Sequence, residues 1–235
     1  ATDAVKNKAD IVIHENQNNM MEEIFRSMRT NLLFMMKEGE KVIMCTSTNS
    51  GEGKTFNAGN LAMAFALLGK KVLLIGLDIR KPRLGQLFEL NDTARGITKL
   101  LVKENPTVEE INEQISPSGI NKHLDIMTAG PIPPNPAELV ARVSLEHIMK
   151  QLREMYDYII VDTAPVGLVT DTLAIGRVCD ATVYVCRADY TPKESIDLVN
   201  GLATEDKLPN VSIVINGIDM SKKKHSYYYG YGRYG

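Results

Sequence analysis

Five short apolar runs, rich in β-branched residues, recur along the chain. Within each run the apolar positions are nearly continuous and do not alternate with polar ones, which is typical of strands buried on both faces of a sheet. We therefore expect strands at 41–47, 71–77, 156–163, 181–188 and 211–217.

Longer segments with helical spacing separate these runs. The pattern predicts helices at 56–71 and 136–156, and a helix at 20–38 ahead of the first strand. The apolar face of this first helix is predicted to carry Ile24, Met28, Leu32 and Met35. The polar segment 103–122 predicts a short helix with loops, and 130–137 a rigid extended connection.

Strands that alternate with helices predict an α/β fold. The expected architecture is a parallel β-sheet with helices on both faces, because crossover connections place helices over the sheet. In such folds ligands bind at the carboxyl ends of the strands.

Composition and charge narrow the classes of protein. The chain has 235 residues, 44% hydrophobic and 24% charged, which suits one globular domain over residues 1–220. A net charge of -2 argues against sequence-independent nucleic-acid binding, which requires a basic face. The three cysteines lack metal-ligand spacing and predict buried thiols. No apolar run is long enough to cross a bilayer, so we expect this fragment to be soluble.

Residues 221–235 differ in composition from the rest. They join a basic run, Lys222 to Lys224, to tyrosines spaced by glycines, a pattern that cannot hold a helix. We expect a mobile tail, separate from the domain. Its tyrosines are Tyr227, Tyr228, Tyr229, Tyr231 and Tyr234.

The first predicted strand is followed by TSTNSGEGKT, residues 46–55, and then by a helix. A glycine-rich turn at a helix N-terminus presents backbone N–H groups to phosphate, and the helix dipole favours the anion. Lys54 is expected to reach the β- and γ-phosphates of ATP, and the Thr55 hydroxyl to ligate Mg²⁺. Thr48 stands where the P-loop motif has its first glycine, so the later glycines must supply the tight backbone. The predicted nucleotide-binding residues are Ser50, Gly51, Glu52, Gly53, Lys54, Thr55 and Phe56.

Two carboxylates follow neighbouring strands of this P-loop NTPase-like sheet. Asp78 follows the second apolar run and Asp162 ends the third. Facing a phosphate-binding loop, such a pair suits Mg²⁺, although either residue could instead cap the next turn. Asp78 can also accept the proton of an incoming hydroxyl. The predicted catalytic residues are therefore Lys54, Asp78 and Asp162, and the predicted metal ligands are Thr55, Asp78 and Asp162.

Two further polar residues lie near strand ends. The amide of Asn216 could bind adenine or cap the end of its strand. Arg80 could pair with Asp78 or meet a phosphate.

The segments TSTNSGEGKT, LLIGLDIRKP and IIVDTAPVG, followed by a tyrosine cluster, closely resemble the bacterial tyrosine kinases that control capsule and exopolysaccharide export. The resemblance extends from about residue 20 to the tail. It implies an ATP- and Mg²⁺-dependent protein tyrosine kinase that phosphorylates the tails of neighbouring copies in trans. Successive phosphates would then load like charges between subunits and favour their dissociation.

The first helix carries the spacing E-x-x-R-x-x-R, formed by Glu23, Arg26 and Arg29. Taken alone, these residues fit pairs within a solvated helix as well as a contact between subunits. The motif is similar to a ring-forming contact of the same family, and this resemblance favours oligomerisation.

Two departures from related patterns bear on the alternatives. Asn49 occupies the position at which septum-site and plasmid-partition ATPases carry an extra lysine, which disfavours an ATPase switch of the partition type. Gly76 replaces the first aspartate of the family's D-x-D-x-R motif and favours a nucleotide-binding pseudokinase scaffold. Because Asp78 and Asp162 remain, we expect an active enzyme.

The resemblance also implies partners and a location. It predicts a ring-like homo-oligomer, a transmembrane activator or a fused membrane domain, and a tyrosine phosphatase. The location implied is the cytoplasmic face of the inner or plasma membrane. A start at a residue other than Met fits a catalytic fragment of the fused kind.

Overall fold

The computed structural model describes residues 11–14, 19–90, 92 and 94–219. The predicted tail at 221–235, with its tyrosines, lies outside the described residues. The strands are β1 (Val42–Ser47), β2 (Val72–Gly76), β3 (Ser116–Pro117), β4 (Leu124–Met127), β5 (Tyr158–Asp162), β6 (Ala181–Arg187) and β7 (Val211–Asn216). They form one sheet in the spatial order β3-β4-β2-β5-β1-β6-β7, and every neighbouring pair is parallel except β3 with β4.

The five strands predicted from apolar runs are confirmed, and burial explains why their pattern is continuous. In β1, Val42 and Met44 pack into one hydrophobic cluster, while Ile43 and Cys45 pack into a second cluster on the opposite face. Strands β3 and β4 were not predicted. They extend the sheet beyond β2, and β3 adds its antiparallel edge.

Helices cover both faces, as predicted. They are α1 (Met20–Met35), α2 (Lys54–Ala66), α3 (Leu84–Leu87), α4 (Thr98–Leu101), α5 (Val108–Glu113), α6 (Pro136–Val140), α7 (Val143–Met155), α8 (Asp171–Gly176) and α9 (Ser195–Thr204). The single helix predicted at 136–156 is wrong, because Arg142 is extended, with φ -69° and ψ 152°, and separates α6 from α7. The short helix predicted within 103–122 is α5, which begins at a capping box formed by Thr107 and Glu110.

The apolar face predicted for α1 is only partly right. Phe25 and Leu32 are buried against α2, and the Phe25 ring meets Phe56 edge to face with centroids 6.0 Å apart. Ile24 and Met35, predicted on the same face, are 49% and 42% exposed. The helix carries apolar side chains on two sides, and only one of them packs on α2.

The outer side of α1 lines a groove of about 810 Å³ beside β7. We call it the α1–β7 groove. Its apolar lining includes Met20, Ile24, Phe34, Met35 and Ile213. Within the described ranges, no helix combines the length and apolar character needed to cross a membrane.

Candidate active site

The loop between β1 and α2 has the backbone of a phosphate-binding turn. Gly51 and Gly53 have φ values of +86° and +98°, in the left-handed region that favours glycine. A Cβ on Gly53 would lie 2.1 Å from Nδ2 of Asn216, so a larger residue would collide with the end of β7. The two glycines are therefore required by conformation and by close packing.

Thr48 fills the place expected for the first glycine of the motif. Its Oγ1 lies 2.8 Å from the hydroxyl of Tyr184 in β6. A Cβ on Gly167 would approach the Thr48 carbonyl oxygen to 2.6 Å, so the loop after β5 runs directly against this residue. The threonine is thus held between two elements of the sheet edge, and the loop does not need a glycine there.

Four predicted residues meet at the carboxyl ends of β2 and β5. Lys54, at the start of α2, places Nζ 3.3 Å from Oδ2 of Asp78. Thr55 donates from Oγ1 to Oδ2 of Asp162 at 2.8 Å. The backbone N–H groups of Leu77 and Asp78 both donate to the Asp162 carbonyl, at 2.7 and 3.1 Å, which holds the two strand ends together.

Burial sets the electrostatics of Asp162. It raises the pKa of this carboxyl to about 6; nearby Asp78 also raises it, while Lys54 and the Thr55 hydroxyl lower it. Its Oδ1 is buried with no hydrogen-bond partner among the described residues. An unpaired, buried carboxylate oxygen beside a threonine hydroxyl fits a divalent cation, which prefers oxygen ligands.

A metal at this position would need oxygens from a nucleotide. The described part of the chain contains no cluster of three or more His, Cys, Asp or Glu that could hold an ion. Thr55, Asp78 and Asp162 are the residues that would hold Mg²⁺ here, together with phosphate oxygens and water.

Two of the predicted nucleotide-binding residues stabilise the loop from behind. Asn216 donates from Nδ2 to the Glu52 carbonyl at 3.0 Å. The buried Glu52 carboxylate accepts the backbone N–H of Asn49 at 2.6 Å. In this structure the Asn216 amide therefore hydrogen-bonds to the P-loop, and its contact with adenine stays a prediction.

The side chain of Phe56 lies outside the cluster of Lys54, Thr55, Asp78 and Asp162. Its ring packs on Phe25 of α1, although its backbone belongs to the first turn of α2. The first N–H groups of a helix have no intrahelical partner, so the backbone of Phe56 remains suited to phosphate while its ring anchors α1.

Arg80 pairs with Asp171 and not with Asp78. Its Nε and Nη2 donate to the two carboxylate oxygens of Asp171, at 2.6 and 3.0 Å. This hydrogen-bonded pair raises the pKa of Arg80 above its usual value. The bidentate contact ties the segment after β2 to the first turn of α8.

Gly76 faces an apolar neighbour. A Cβ at this position would lie 3.3 Å from Cδ2 of Leu84 and 3.4 Å from the backbone nitrogen of Ala129. Because residue 76 has no side chain, the carboxylates that act on Lys54 here are those of Asp78 and Asp162.

The E-x-x-R-x-x-R residues lie on α1. Arg26 pairs with Glu23 at 2.9 Å and with Glu22. Arg29 is buried and donates from Nη1 to the Ala64 carbonyl of α2 at 2.6 Å. Burial, followed by the charge of Arg26, lowers the pKa of Arg29. The motif thus combines a surface pair with a buried arginine that anchors α1.

Sequence reasoning missed three residues that contact the P-loop. Arg187 ends β6, Tyr190 and Thr191 come just after it, and each of the three hydrogen-bonds to the loop. The segment RADYT after a buried strand was the available signal, because polar residues at the carboxyl end of a parallel strand belong to the ligand edge.

Comparison with known proteins shows which family the chain belongs to. The family model described as an AAA domain matches residues 40–200. The chain is 38% identical to the tyrosine-protein kinase YwqD of Bacillus subtilis, over 88% of this chain and 86% of that protein. It is 31% identical to the tyrosine-protein kinase CpsD of Streptococcus pneumoniae, over 91% of this chain and 92% of that protein.

The chain belongs to the bacterial tyrosine kinase family. Among solved structures, the kinase domain of the Escherichia coli tyrosine kinase ETK aligns with a TM-score of 0.82 and 27% identity, covering 95% of this chain and 85% of that one. The resemblance read from the sequence motifs and the expected P-loop NTPase-like fold are both confirmed.

Proposed function

We propose that this chain is an ATP-dependent protein tyrosine kinase that phosphorylates the carboxyl-terminal tyrosines of neighbouring copies. The observation that carries the proposal is the meeting of Lys54, Thr55, Asp78 and Asp162 at the end of a P-loop. Phosphoryl transfer needs little covalent chemistry from the protein, and depends on positioned charge around the phosphates.

In the proposed reaction the ion pair between Lys54 and Asp78 opens, and each side chain contacts a substrate. In the structure they form a buried ion pair at 3.3 Å. With ATP in the P-loop, the Lys54 ammonium binds the β- and γ-phosphates, which frees a carboxylate oxygen of Asp78. That oxygen orients the hydroxyl of an incoming tyrosine and accepts its proton. The tyrosine oxygen would then bond to the γ-phosphorus while the bond to the β–γ bridging oxygen breaks, and ADP would leave.

Mg²⁺ would neutralise charge developing on the transferred phosphoryl group. Thr55 and Asp162 would hold it. This is supported by the hydrogen bond from the Thr55 hydroxyl to Asp162 and by Oδ1 of Asp162, which has no partner within the described residues. Oδ1 of Asp78 accepts the Lys81 N–H at 3.0 Å and so caps the turn after β2. Asp78 would therefore contact the ion through water, while the released Oδ2 serves as the base.

The proposed acceptors are the tail tyrosines at 227, 228, 229, 231 and 234. Spacing by glycine suits an extended peptide that enters an active site, and the adjoining lysines keep the tail basic. Each phosphate would add a charge of about -1.5 to -2. Like charges accumulating between subunits would favour dissociation, which makes assembly reversible.

We further propose that α1 takes part in a ring-like homo-oligomer. The exposed pair of Glu23 and Arg26 offers polar contacts, and the α1–β7 groove offers an apolar surface on the same helix. Arg29 supports the helix from beneath. Through this assembly the kinase would control capsule or exopolysaccharide synthesis at the cytoplasmic face of the membrane, with a transmembrane activator or fused membrane domain and an opposing tyrosine phosphatase.

A mixing experiment tests transfer between copies. One chain carries Lys54→Met and an intact tail; the other has an intact site and phenylalanine at the five tail positions. Loss of five hydroxyl oxygens nearly equals the mass of one phosphate, so the phosphates are assigned by peptide mapping after incubation with ATP and Mg²⁺, because the tail peptides of the two chains differ in sequence. Phosphate on the Lys54→Met chain supports transfer in trans. Phosphorylation of the unmodified chain alone, with none in the mixture, would contradict it.

A further inference from the structure

Three consecutive carbonyl groups of the P-loop are bound by side chains from the ends of β6 and β7. The Tyr190 hydroxyl donates to the Ser50 carbonyl, and Nη1 of Arg187 donates to the Gly51 carbonyl, each at 3.0 Å. Nδ2 of Asn216 donates to the Glu52 carbonyl, also at 3.0 Å.

A trans peptide unit is planar, and its C=O and N–H groups point in opposite directions. Fixing the carbonyl of one residue therefore fixes the N–H of the next. The three contacts determine the direction of the N–H groups of Gly51, Glu52 and Gly53, which point away from the contacting side chains. These N–H groups belong to the part of the loop that faces a nucleotide phosphate.

We propose that Arg187, Tyr190 and Asn216 form a carbonyl clamp that orients the P-loop N–H groups for phosphate binding. This inference deepens the proposed function and rests on its ATP-binding step. Arg187 and Tyr190 act as positioning residues, because they contact the loop from outside.

The glycines of the loop are placed where the clamp requires them. A Cβ on Gly53 would lie 2.1 Å from Nδ2 of Asn216, so a larger residue at this position would push Asn216 away from the carbonyl that it binds. A Cβ on Gly51 would be in ordinary contact with the Tyr190 hydroxyl, at 3.5 Å, and Gly51 is required there by its φ of +86°.

The clamp is also braced from within. The Arg187 guanidinium lies 5.3 Å from the centroid of the Tyr190 ring, a cation–π contact between two of its members. The next residue, Thr191, donates its hydroxyl to the Glu52 carboxylate, whose second oxygen accepts the N–H of Asn49. Residues 49 to 52 are thus held at every position by contacts outside the phosphate site.

Arg187 and Tyr190 are exposed, so their role in ATP binding can be tested without disturbing the fold. Tyr190 is 52% exposed, and Arg187 is exposed at the rim of the site. Removing their polar groups leaves the hydrophobic core intact, so a variant can lose nucleotide affinity without losing its fold.

The test measures ATP binding by calorimetry in the presence of Mg²⁺, using the full chain. Tyr190→Phe should weaken ATP binding about two- to tenfold, the effect of one hydrogen bond. Arg187→Met should weaken it further, and Arg187→Lys should restore part of the affinity. Asn216→Asp, which sets a carboxylate against the Glu52 carbonyl, should also weaken binding.

Tyr156→Phe is the matched control. It also removes a tyrosine hydroxyl, but that of Tyr156 donates to Asp125, at 2.8 Å, at the opposite end of the sheet. ATP affinity should be unchanged in this variant. In the kinase assay, the clamp variants should raise KM for ATP more than they lower kcat, and their thermal unfolding midpoints should match that of the unmodified chain.

The outcomes separate the two proposals. Unchanged ATP affinity in Tyr190→Phe and Arg187→Met would overturn the clamp, while the kinase proposal would stand on tail phosphorylation. Weaker ATP binding in these variants, with no tail phosphate from the unmodified chain, would support the clamp and contradict the kinase. No ATP binding by the unmodified chain would overturn both.

Discussion

The Thr55 hydroxyl lies 2.8 Å from Oδ2 of Asp162 and joins the first turn of α2 to the end of β5. The other oxygen of this carboxylate is buried without a partner in the described part of the chain. The pair is therefore the part of the site best suited to an ion, and a substitution of Thr55 tests the proposed metal site directly.

Thr55→Ala should weaken the apparent Mg²⁺ affinity of the kinase reaction by about 10- to 100-fold, because one oxygen ligand is lost. The measurement is a Mg²⁺ titration of tail phosphorylation at saturating ATP. Thr30→Ala is the matched control: its hydroxyl donates to a carbonyl on exposed α1 at 2.9 Å. Equal Mg²⁺ dependence in both variants would contradict a ligand role for Thr55.

Asp78→Asn should lower kcat by about 100-fold or more, since the amide cannot accept the tyrosine proton. Binding of ATP should change much less, because the P-loop and Lys54 are retained. The kcat of tail phosphorylation and the ATP affinity by calorimetry are measured on the same variant. Asp92→Asn alters an exposed carboxylate 3.4 Å from Arg95 and should leave kcat unchanged. A kcat for Asp78→Asn close to that of this control would exclude Asp78 as the base.

The sequence pattern could predict the strands that are buried on both faces, because each is a continuous apolar run. It could not predict β4, whose segment Leu124–Met127 is only four residues long and includes a partly exposed aspartate. Strand β3 has two residues, one of them Pro117, and exists through its pairing with β4. The break between α6 and α7 was also hidden, because the apolar stripe continues across Arg142.

Motifs could predict the core of the site for a related reason. Lys54, Thr55, Asp78 and Asp162 occupy fixed places after strands, and the parallel sheet brings strand ends together. The contacts of Arg187 and Tyr190 depend on β6 lying beside β1, which spacing along the chain does not reveal. The anchoring of Arg29 on the Ala64 carbonyl likewise depends on how α1 crosses α2.

Variants on α1 should separate stability from assembly. Arg29→Met should lower the free energy of unfolding by about 1–3 kcal/mol, because the Ala64 carbonyl loses a buried donor. Urea unfolding measures this effect.

The variant Glu23→Gln removes the exposed partner of Arg26 and keeps the pair of Arg26 with the buried Glu22. It should alter stability by less than about 1 kcal/mol, as expected for a surface ion pair, yet reduce self-association in analytical ultracentrifugation. Unchanged self-association would contradict the role proposed for this pair.

Asp180 stabilises the start of β1. Its carboxylate accepts two hydrogen bonds from Arg153, at 2.8 Å each, and the backbone N–H groups of Lys41 and Val42. Burial raises the pKa of Asp180, but these hydrogen bonds outweigh it and hold the pKa below its usual value. A lowered carboxyl pKa contributes stability above the unfolded pKa of about 3.9 that is lost as the pH falls through the folded value.

Asp180→Asn should therefore lower the free energy of unfolding by about 1.5–3 kcal/mol at about pH 5 and above, and by less at about pH 3. Urea unfolding at these pH values checks this, with Asp157→Asn as a control that removes a carboxylate bound to one exposed backbone N–H. A difference that stays the same down to about pH 3 would contradict a lowered folded pKa.

The intact mass of the purified chain, before and after incubation with ATP and Mg²⁺, tests the central claim most directly. We expect steps of one or more phosphates on the unmodified chain, mapped to the tail tyrosines, and none on Lys54→Met. An unmodified chain that gains no phosphate would contradict the account. Steady release of ADP without phosphate gain would then indicate an ATPase switch, and nucleotide held without turnover would indicate a binding scaffold.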